Sequence, residues 1–382
     1  MWRSSYALTA RQAEEWGDMS FPLPRDLRAL TPRVHAWLPD GHATWGLANC
    51  VLIAGADSAL LVDTPYTADM TRQLQRLAAD VLAPGVGIDT VVNTHGNGDH
   101  SYGNGLFRAP EPEAEPGAEA EPAAEPGAET RTPGAPGTPS TPGAEIISTE
   151  ANGVHLCAEP SPADLARLIA ASDTSTPLGA YITRHFGRYG DFGGVRTVHP
   201  TRTFSGELTL DVGGVAVRLI EVGPAHTAGD LIVHLPEEGV VCAGDVLFNE
   251  DHPVHWAGPL EEVHRACMSI LECEPRVIVP GHGPLMTPAD VRTYADYLLA
   301  LRDRIHGMHA AGRALSETAA TLVAENPYPL WGMPERMAIL AAVEYRALDG
   351  DEAAPNLVQL VGFAAGFSTT GAAALQGSRS AD

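Results

Sequence analysis

The chain has 382 residues, 44 % of them hydrophobic, and a formal net charge of −24, which is length and apolar content enough for one large packed domain or two smaller ones. So acidic a surface repels nucleic acid and anionic lipid and excludes both as expected partners, and no stretch approaches the roughly 18 unbroken apolar residues of a membrane span. Met1-Trp2-Arg3 opens no apolar run of the secretory kind, so the expected location is the cytoplasm. The five cysteines include no Cys-x-x-Cys pair and read as buried free thiols.

Residues 1–30 read as an N-terminal extension. Strands are expected at Arg33 to Leu38, Asn49 to Ala54 and Ala59 to Val62, the last two joined across Gly55-Ala56-Asp57-Ser58, a hairpin signal. A helix capped by Thr67 then sets Met70, Leu74, Leu77 and Val81 on one face. Thr90 to Val92 reads as a short buried strand that delivers the chain to His95.

From 109 to 144 the composition is almost wholly Ala, Pro, Glu, Gly, Thr and Ser. Near-repeats such as Ala114-Glu115-Pro116-Gly117 and Ala124-Glu125-Pro126-Gly127 recur, and eight glutamates face the single Arg131 between Ala109 and Glu145. Such a segment lacks the apolar side chains that offset the entropy of ordering, so a disordered insertion is expected, looping out of one domain that spans 31–310.

Past the insertion, Glu145 to Ser148 reads as a strand, and Ser161-Pro162 with Asp164 opens a helix. Strands follow at Glu207 to Leu210, Val215 to Glu221, Leu231 to Leu235 and Val240 to Ala243, then a helix from Leu260 to Leu271 and a strand at Arg276 to Val279. Thr287-Pro288 opens a helix with an apolar stripe of Val291, Tyr294, Leu298, Leu301 and Ile305. Residues 311–367 are expected to form a helical extension, with one helix over Pro334 to Leu348, and 368–382 a frayed tail. Strands followed by helices in both halves favour two sheets packed face to face with helices outside.

Four short stretches carry the chemistry. Asn93-Thr94-His95-Gly96-Asn97-Gly98-Asp99-His100 places two imidazoles and a carboxylate on a glycine-rich loop after a buried strand, where the glycines let the backbone curl and the donors converge on a metal. His226 in Gly223 to Asp230, Asp245 after Ala243-Gly244, and His282 in Pro280-Gly281-His282-Gly283 each follow an expected strand, where loops gather at one edge of a sheet.

In order and spacing, from about Arg33 to Leu285, these stretches resemble the metallo-β-lactamase superfamily, with its His-x-His-x-Asp-His loop, a distant His, an Asp and a last His. The resemblance implies an α/β fold, a four-layer αβ/βα sandwich with metal at one edge of the two sheets. One site would use His95, position 97 and His226, the other Asp99, His100 and His282, with Asp245 bridging both. The family has His where this chain has Asn97; an amide oxygen is a poorer zinc ligand than an imidazole, so the first site is expected to be the weaker. The implied cofactor is zinc, one ion or two, with iron or manganese as alternatives.

The activity implied is hydrolysis of an ester, thioester, lactone or amide of a small molecule by a metal-activated water, with Asp99 or Asp245 orienting the water and passing on a proton. Two alternatives stand beside it: iron-dependent oxidation of a sulfur compound, suggested by the harder donor set that Asn97 creates, and a metal-binding relative without turnover. Asp63 resembles the family's buried aspartate beneath the metal loop and is expected to support the ligands. His42 and Trp45, on a loop that overhangs the metals in the family, and His255 and Trp256, after the Asp245 strand, are weaker candidates for substrate contact. Neither the substrate nor the oligomeric state follows from the sequence.

Overall fold

The computed structural model describes residues 23–108, 143–190, 192–351 and 356–368. The expected N-terminal extension up to residue 22, the insertion apart from Gly143 and Ala144, and the tail beyond Ser368 lie outside the described residues.

Strands β1 (Arg28–Ala29), β2 (Val34–Trp37), β3 (Cys50–Ala54), β4 (Ala59–Val62), β5 (Ile88–Val92), β6 (Glu145–Thr149) and β7 (Arg202–Phe204) form one sheet in that order. β1 to β4 pair antiparallel and β4 to β7 parallel. The second sheet runs in the order β12 (Val277–His282), β11 (Val240–Phe248), β10 (Leu231–Leu235), β9 (Val215–Glu221), β8 (Glu207–Val212). There β11 and β12 are parallel and the other neighbours antiparallel.

Alternation along each strand decides which layer a side chain joins. Val51, Ile53, Leu60 and Val62 meet Val217, Leu219, Val233 and Val240 between the sheets. One residue out of phase, Cys50 and Leu61 turn outward, where helix Ala68–Ala79 packs Met70 and Leu74 against them. On the opposite side, Val241, Ala243 and Ile278 face Val263, Ile270, Val291 and Leu298 of helices Leu260–Glu272 and Pro288–Ala310. The result is four layers, helix, sheet, sheet, helix. With both faces covered, β4, β10 and β11 are buried throughout, which is why β4 reads as an unbroken apolar run and β10 and β11 are interrupted only at His234 and Gly244-Asp245.

Three helix starts are built as their sequences suggest. Thr67 accepts from Met70 N, Ser161 from Asp164 N, and Thr287 forms a reciprocal capping box with Asp290. The first helix stops at Ala79, so Val81 lies beyond it, yet it still packs beside Leu52 and Ala59. Helices Glu150–Ala158 and Pro177–His185 are additional, and Leu315–Glu325 and Leu357–Ala365 lie in the residues expected to form a helical extension. Of these, Thr176-Pro177 repeats the cap-then-proline signature of Ser161-Pro162, and Thr176 accepts from Gly179 N. Leu322, Met337, Leu340 and Leu360 of the C-terminal residues join the same apolar cluster as the outer helices of the second sheet. Among the described residues no helix is long and apolar enough to cross a membrane.

Candidate metal centre

The fold gathers the four chemistry-bearing stretches at one edge of both sheets. The chain leaves β5 at Val92, and a carboxamide pair locks the loop that follows: Asn104 Nδ2 donates to Asn93 Oδ1 at 2.7 Å, and Asn93 Nδ2 to His100 O at 2.8 Å. A short helix, Gly98–Ser101, then turns Asp99 and His100 inward. Gly96 and Gly98 serve space here and not backbone freedom: neither has a positive φ, and a Cβ would meet the Asn152 side chain at one and the Tyr102 ring at the other. The His226 loop is tied by Asp230, whose carboxylate accepts from Thr227 N and Thr227 Oγ1 at 2.8 Å each and from Ala225 N at 3.2 Å. Asp245 lies within β11 and His282 ends β12; Gly281 between them has no Cβ because Asp245 Oδ1 occupies its place.

Asp245 is the hub. Its carboxylate lies 3.1 Å from His100 Nε2, 3.3 Å from His282 Nε2, 3.5 Å from His226 Nε2 and 3.9 Å from His95 Nε2. Asp99 Oδ2 lies 3.4 Å from His282 Nε2 and 3.9 Å from His100 Nε2. All of these side chains are buried or nearly so. Two groups have donor atoms close enough to share one ion: His95, His100 and Asp245, and Asp99, His100 and His282.

Which nitrogen faces inward follows from the hydrogen bonds behind the rings. Asp63 Oδ2 accepts from His100 Nδ1 at 2.8 Å and from Thr94 Oγ1 at 2.7 Å, while Oδ1 accepts from Thr94 N at 2.8 Å. The Thr94 hydroxyl has given its only proton to Asp63, so at 3.1 Å it accepts from His95 Nδ1. His226 Nδ1 donates to Val254 O at 2.6 Å. Each of the three rings therefore points an Nε2 into the cluster with its Nδ1 engaged, the tautomer a metal ligand needs. Asp63 does this from a left-handed turn, φ 60°, that an aspartate tolerates better than most residues.

Burial pushes His95 well below the ordinary imidazole range and His226 down to about 4, in spite of the nearby Asp245 carboxylate. His100 and His282 go the other way. Burial disfavours their charge, but Asp245, Asp63 and Asp99 raise His100 well above its usual range, and Asp245 and Asp99 raise His282 to about 9. Burial likewise opposes ionisation of Asp99 and Asp245, and the imidazoles outweigh it, holding both carboxyls below their usual range.

Two features fit these donors to a cation. His95 Nε2 is fully enclosed without a hydrogen-bond partner. His226 Nε2, unprotonated because Nδ1 holds the proton and burial disfavours a second, faces Asn97 Oδ1 at 2.8 Å. The amide is held in that sense because Asn97 Nδ2 donates to Glu159 Oε2 at 2.9 Å, and Gly98 N donates to Glu159 Oε1 at 3.1 Å. Two acceptors so close repel each other unless a positive charge sits against both. Imidazole nitrogens with carboxylate and amide oxygens make a donor set for a divalent transition metal.

The weaker candidates divide. Trp45 and Trp256 line the cleft that opens from the cluster, their rings stacked at 5.9 Å. His42 does not reach it: the side chain is exposed, with Nδ1 3.3 Å from Asp251. His255 is buried behind His226, with Nε2 3.2 Å from Tyr294 OH. Thr94, Asp230, Glu159 and Arg336, which brace or line the site, carried no role in the sequence reading. Asp230 has a readable signal, a Thr227-x-x-Asp230 turn spacing; Glu159 and Arg336 have none, because each reaches the site only through packing.

A four-layer sandwich with His and Asp donors clustered at one edge of its sheets defines a class of metal-binding protein. The model of the metallo-beta-lactamase superfamily matches residues 43–282, and the chain belongs to that superfamily. Among solved structures, the chain is similar to the inverting sec-alkylsulfatase Pisa1 from Pseudomonas sp., with 16% identity over 85% of this chain and 50% of that one and a TM-score of 0.55. It is also similar to a metallo-beta-lactamase family protein from Thermus thermophilus, with 21% identity over 84% and 95% of the two chains and a TM-score of 0.51. A metallo-beta-lactamase from Pontibacter korlensis aligns at 15% identity over 72% and 98%, with a TM-score of 0.46. At these identities the likeness is one of fold. No curated protein matches the chain.

Proposed function

We propose that the chain is a metal-dependent hydrolase that cleaves an ester, thioester, lactone or amide of a small molecule. The observation that carries this reading is the convergence of four imidazole Nε2 atoms on the Asp245 carboxylate, with Asp99 beside them, at the floor of an open cleft. His95, Asn97 and His226 would hold one ion and Asp99, His100 and His282 the other, with Asp245 between them; zinc suits the donors, and the amide makes the first site the weaker. Bound there, a divalent metal supplies a Lewis acid and a nucleophilic water at neutral pH.

The protein's own part is positional. Asp63 fixes the tautomers of His100 and, through Thr94, of His95. Asp245, in contact with four imidazoles, is committed to holding the cluster. Asp99 has Oδ2 beside His282 and His100, takes part in no further ion pair among the described residues, and lines the cleft. That favours Asp99 as the carboxylate that hands a proton to the leaving group.

The test is metal analysis of protein purified without added metal, then turnover on a panel of carboxylic esters, thioesters, lactones and amides. Sulfate esters belong in the panel because Pisa1 is an alkylsulfatase. Expected are at least one divalent ion per chain and turnover that a chelator abolishes. Bound metal with no turnover on any member would overturn the hydrolase reading.

A further inference from the structure

The cleft that begins at Asp99, Asp245 and His282 does not end at the metal donors. It continues between three helices, Pro162–Ala170, Pro177–His185 and Leu357–Ala365. Each helix gives it side chains at helical spacing: Leu165 and Leu168, Leu178 and Ile182, Leu357 and Val361. Apolar stripes at such spacing ordinarily bury against another element. Helix Leu357–Ala365 buries Leu360 and Ala364 in the core, and Leu357 and Val361, which pack against the same cluster only in part, also face the cleft. The cleft leaves about 110 Å³ of free space and opens to solvent at its mouth.

At the inner end stands Arg336. Its side chain is 1% exposed, and it is the one Lys or Arg side chain lining the cleft among the described residues. Nη1 and Nη2 donate to the carbonyls of His252 and Thr44 at 3.2 and 3.1 Å, and the Trp45 ring lies over the guanidinium with its centroid 4.2 Å from Cζ. Nε has no partner, and among the described residues Arg336 forms no ion pair. Asp251, whose carboxyl Arg336 pulls down against its burial, acts on the guanidinium only from beyond ion-pair contact, so the buried cation retains charge to offer a further anion.

Resting on the hydrolase reading, we infer that the substrate is an amphiphilic anion: an apolar chain lying in the trough between the three helices, with the scissile bond and an anionic group at the inner end, between the metal donors and Arg336. The trough gives affinity in proportion to chain length, and Arg336 selects charge. One end recognises hydrocarbon and the other an oxyanion, so neither a polar nor a compact substrate fills the site.

The test uses the full-length, metal-loaded protein and calorimetric titration with straight-chain alkanoates from butanoate to decanoate and with 1-octanol. Affinity should tighten about two- to fourfold for each added methylene, and octanoate should bind at least tenfold tighter than 1-octanol. Val358, 39% exposed at the mouth, tests the trough without touching the core: Val358→Asn should weaken decanoate severalfold and leave butanoate unchanged. Arg336→Met should reduce the octanoate-to-octanol ratio at least tenfold with the chain-length slope kept. A flat chain-length series overturns the trough. Equal binding of octanoate and 1-octanol by the unaltered protein overturns the role of Arg336, a result that needs no variant to fold. Length-dependent binding of alkanoates together with failure on the whole hydrolysis panel would sink the hydrolase reading and leave the binding site standing.

Discussion

The two halves of the cluster are held from behind in different ways. His100 is backed by Asp63, whose turn follows β4 and whose backbone NH bonds Val92 O of the neighbouring strand at 2.8 Å. Asn97 is backed by Glu159, which arrives at the end of helix Glu150–Ala158 after a long excursion of chain. One support belongs to the sheet and the other to the cleft wall. A donor braced by the sheet inherits its rigidity, whereas one braced by the wall depends on how the wall packs.

Asp245 is common to both halves, so Asp245→Ala is the largest break. It should lower turnover on the order of 10³-fold or more and loosen both ions, because several kcal/mol of charge stabilisation go with it; metal content and rate together check it.

The pH dependence separates metal-loaded from metal-free protein. His282 is raised to about 9 over an ordinary imidazole value, so a proton must leave before its Nε2 can bind metal. Zinc affinity should rise as pH increases toward 9, by up to about tenfold per unit from this group. The metal-free protein should show the opposite trend. The stability contributed by His282 is fully present below the unfolded imidazole pKa of about 6.5 and is lost as pH rises through about 9. Zinc titrations and melts across that window read both slopes, and slopes of one sign would contradict the assignment.

Asp63→Asn isolates the sheet-side support. Asparagine also tolerates the left-handed turn, but one oxygen cannot replace two: with that oxygen on Thr94 Oγ1 and His100 Nδ1 the NH2 group opposes Thr94 N, and turned the other way the NH2 opposes both of those donors, so a wrong tautomer of His100 becomes available. Zinc affinity should fall about 10- to 100-fold. Glu159→Gln is the matching change on the cleft side. A carboxylate accepts from Asn97 and Gly98 at once, whereas glutamine offers one acceptor and one donor, so the Asn97 amide is freed to turn. A loss of about tenfold, confined to the weaker ion, is expected; equal losses at both ions in either variant would erase the contrast between the halves.

The smallest effect is expected from replacing residues 109–142 by a short Gly-Ser linker. Ala144 N donates to Phe107 O at 2.8 Å, so the chain leaves and re-enters at one point, and closing a short loop costs little. The melting temperature should move by less than about 2 °C with metal content unchanged, and a larger shift would mean that the segment packs on the domain.

Local rules carried much of this protein. Strand pairing follows from alternating or continuous apolar runs such as Val215 to Glu221 and Leu231 to Leu235, helix starts from Thr67, Ser161 and Thr287, and the gathering of His95, His226, Asp245 and His282 from their place at or near strand ends. These signals are short-range, and a single sequence displays them. Helix Leu357–Ala365 was less visible because it is apolar on two sides, so no clean stripe marks it. Glu159, Arg336 and the cleft walls were decided by tertiary packing alone. Glu159 meets Asn97 across 62 residues and Arg336 meets Thr44 across 292, and no spacing in the chain records such a meeting. His42 and His255 show the same limit from the other side. Their places, on a loop that overhangs the metals in the family and just after the Asp245 strand, suggested substrate contact, but a neighbouring Asp251 and a covering Tyr294 determine where those rings point, and a side chain's partners are fixed only when distant segments close around it.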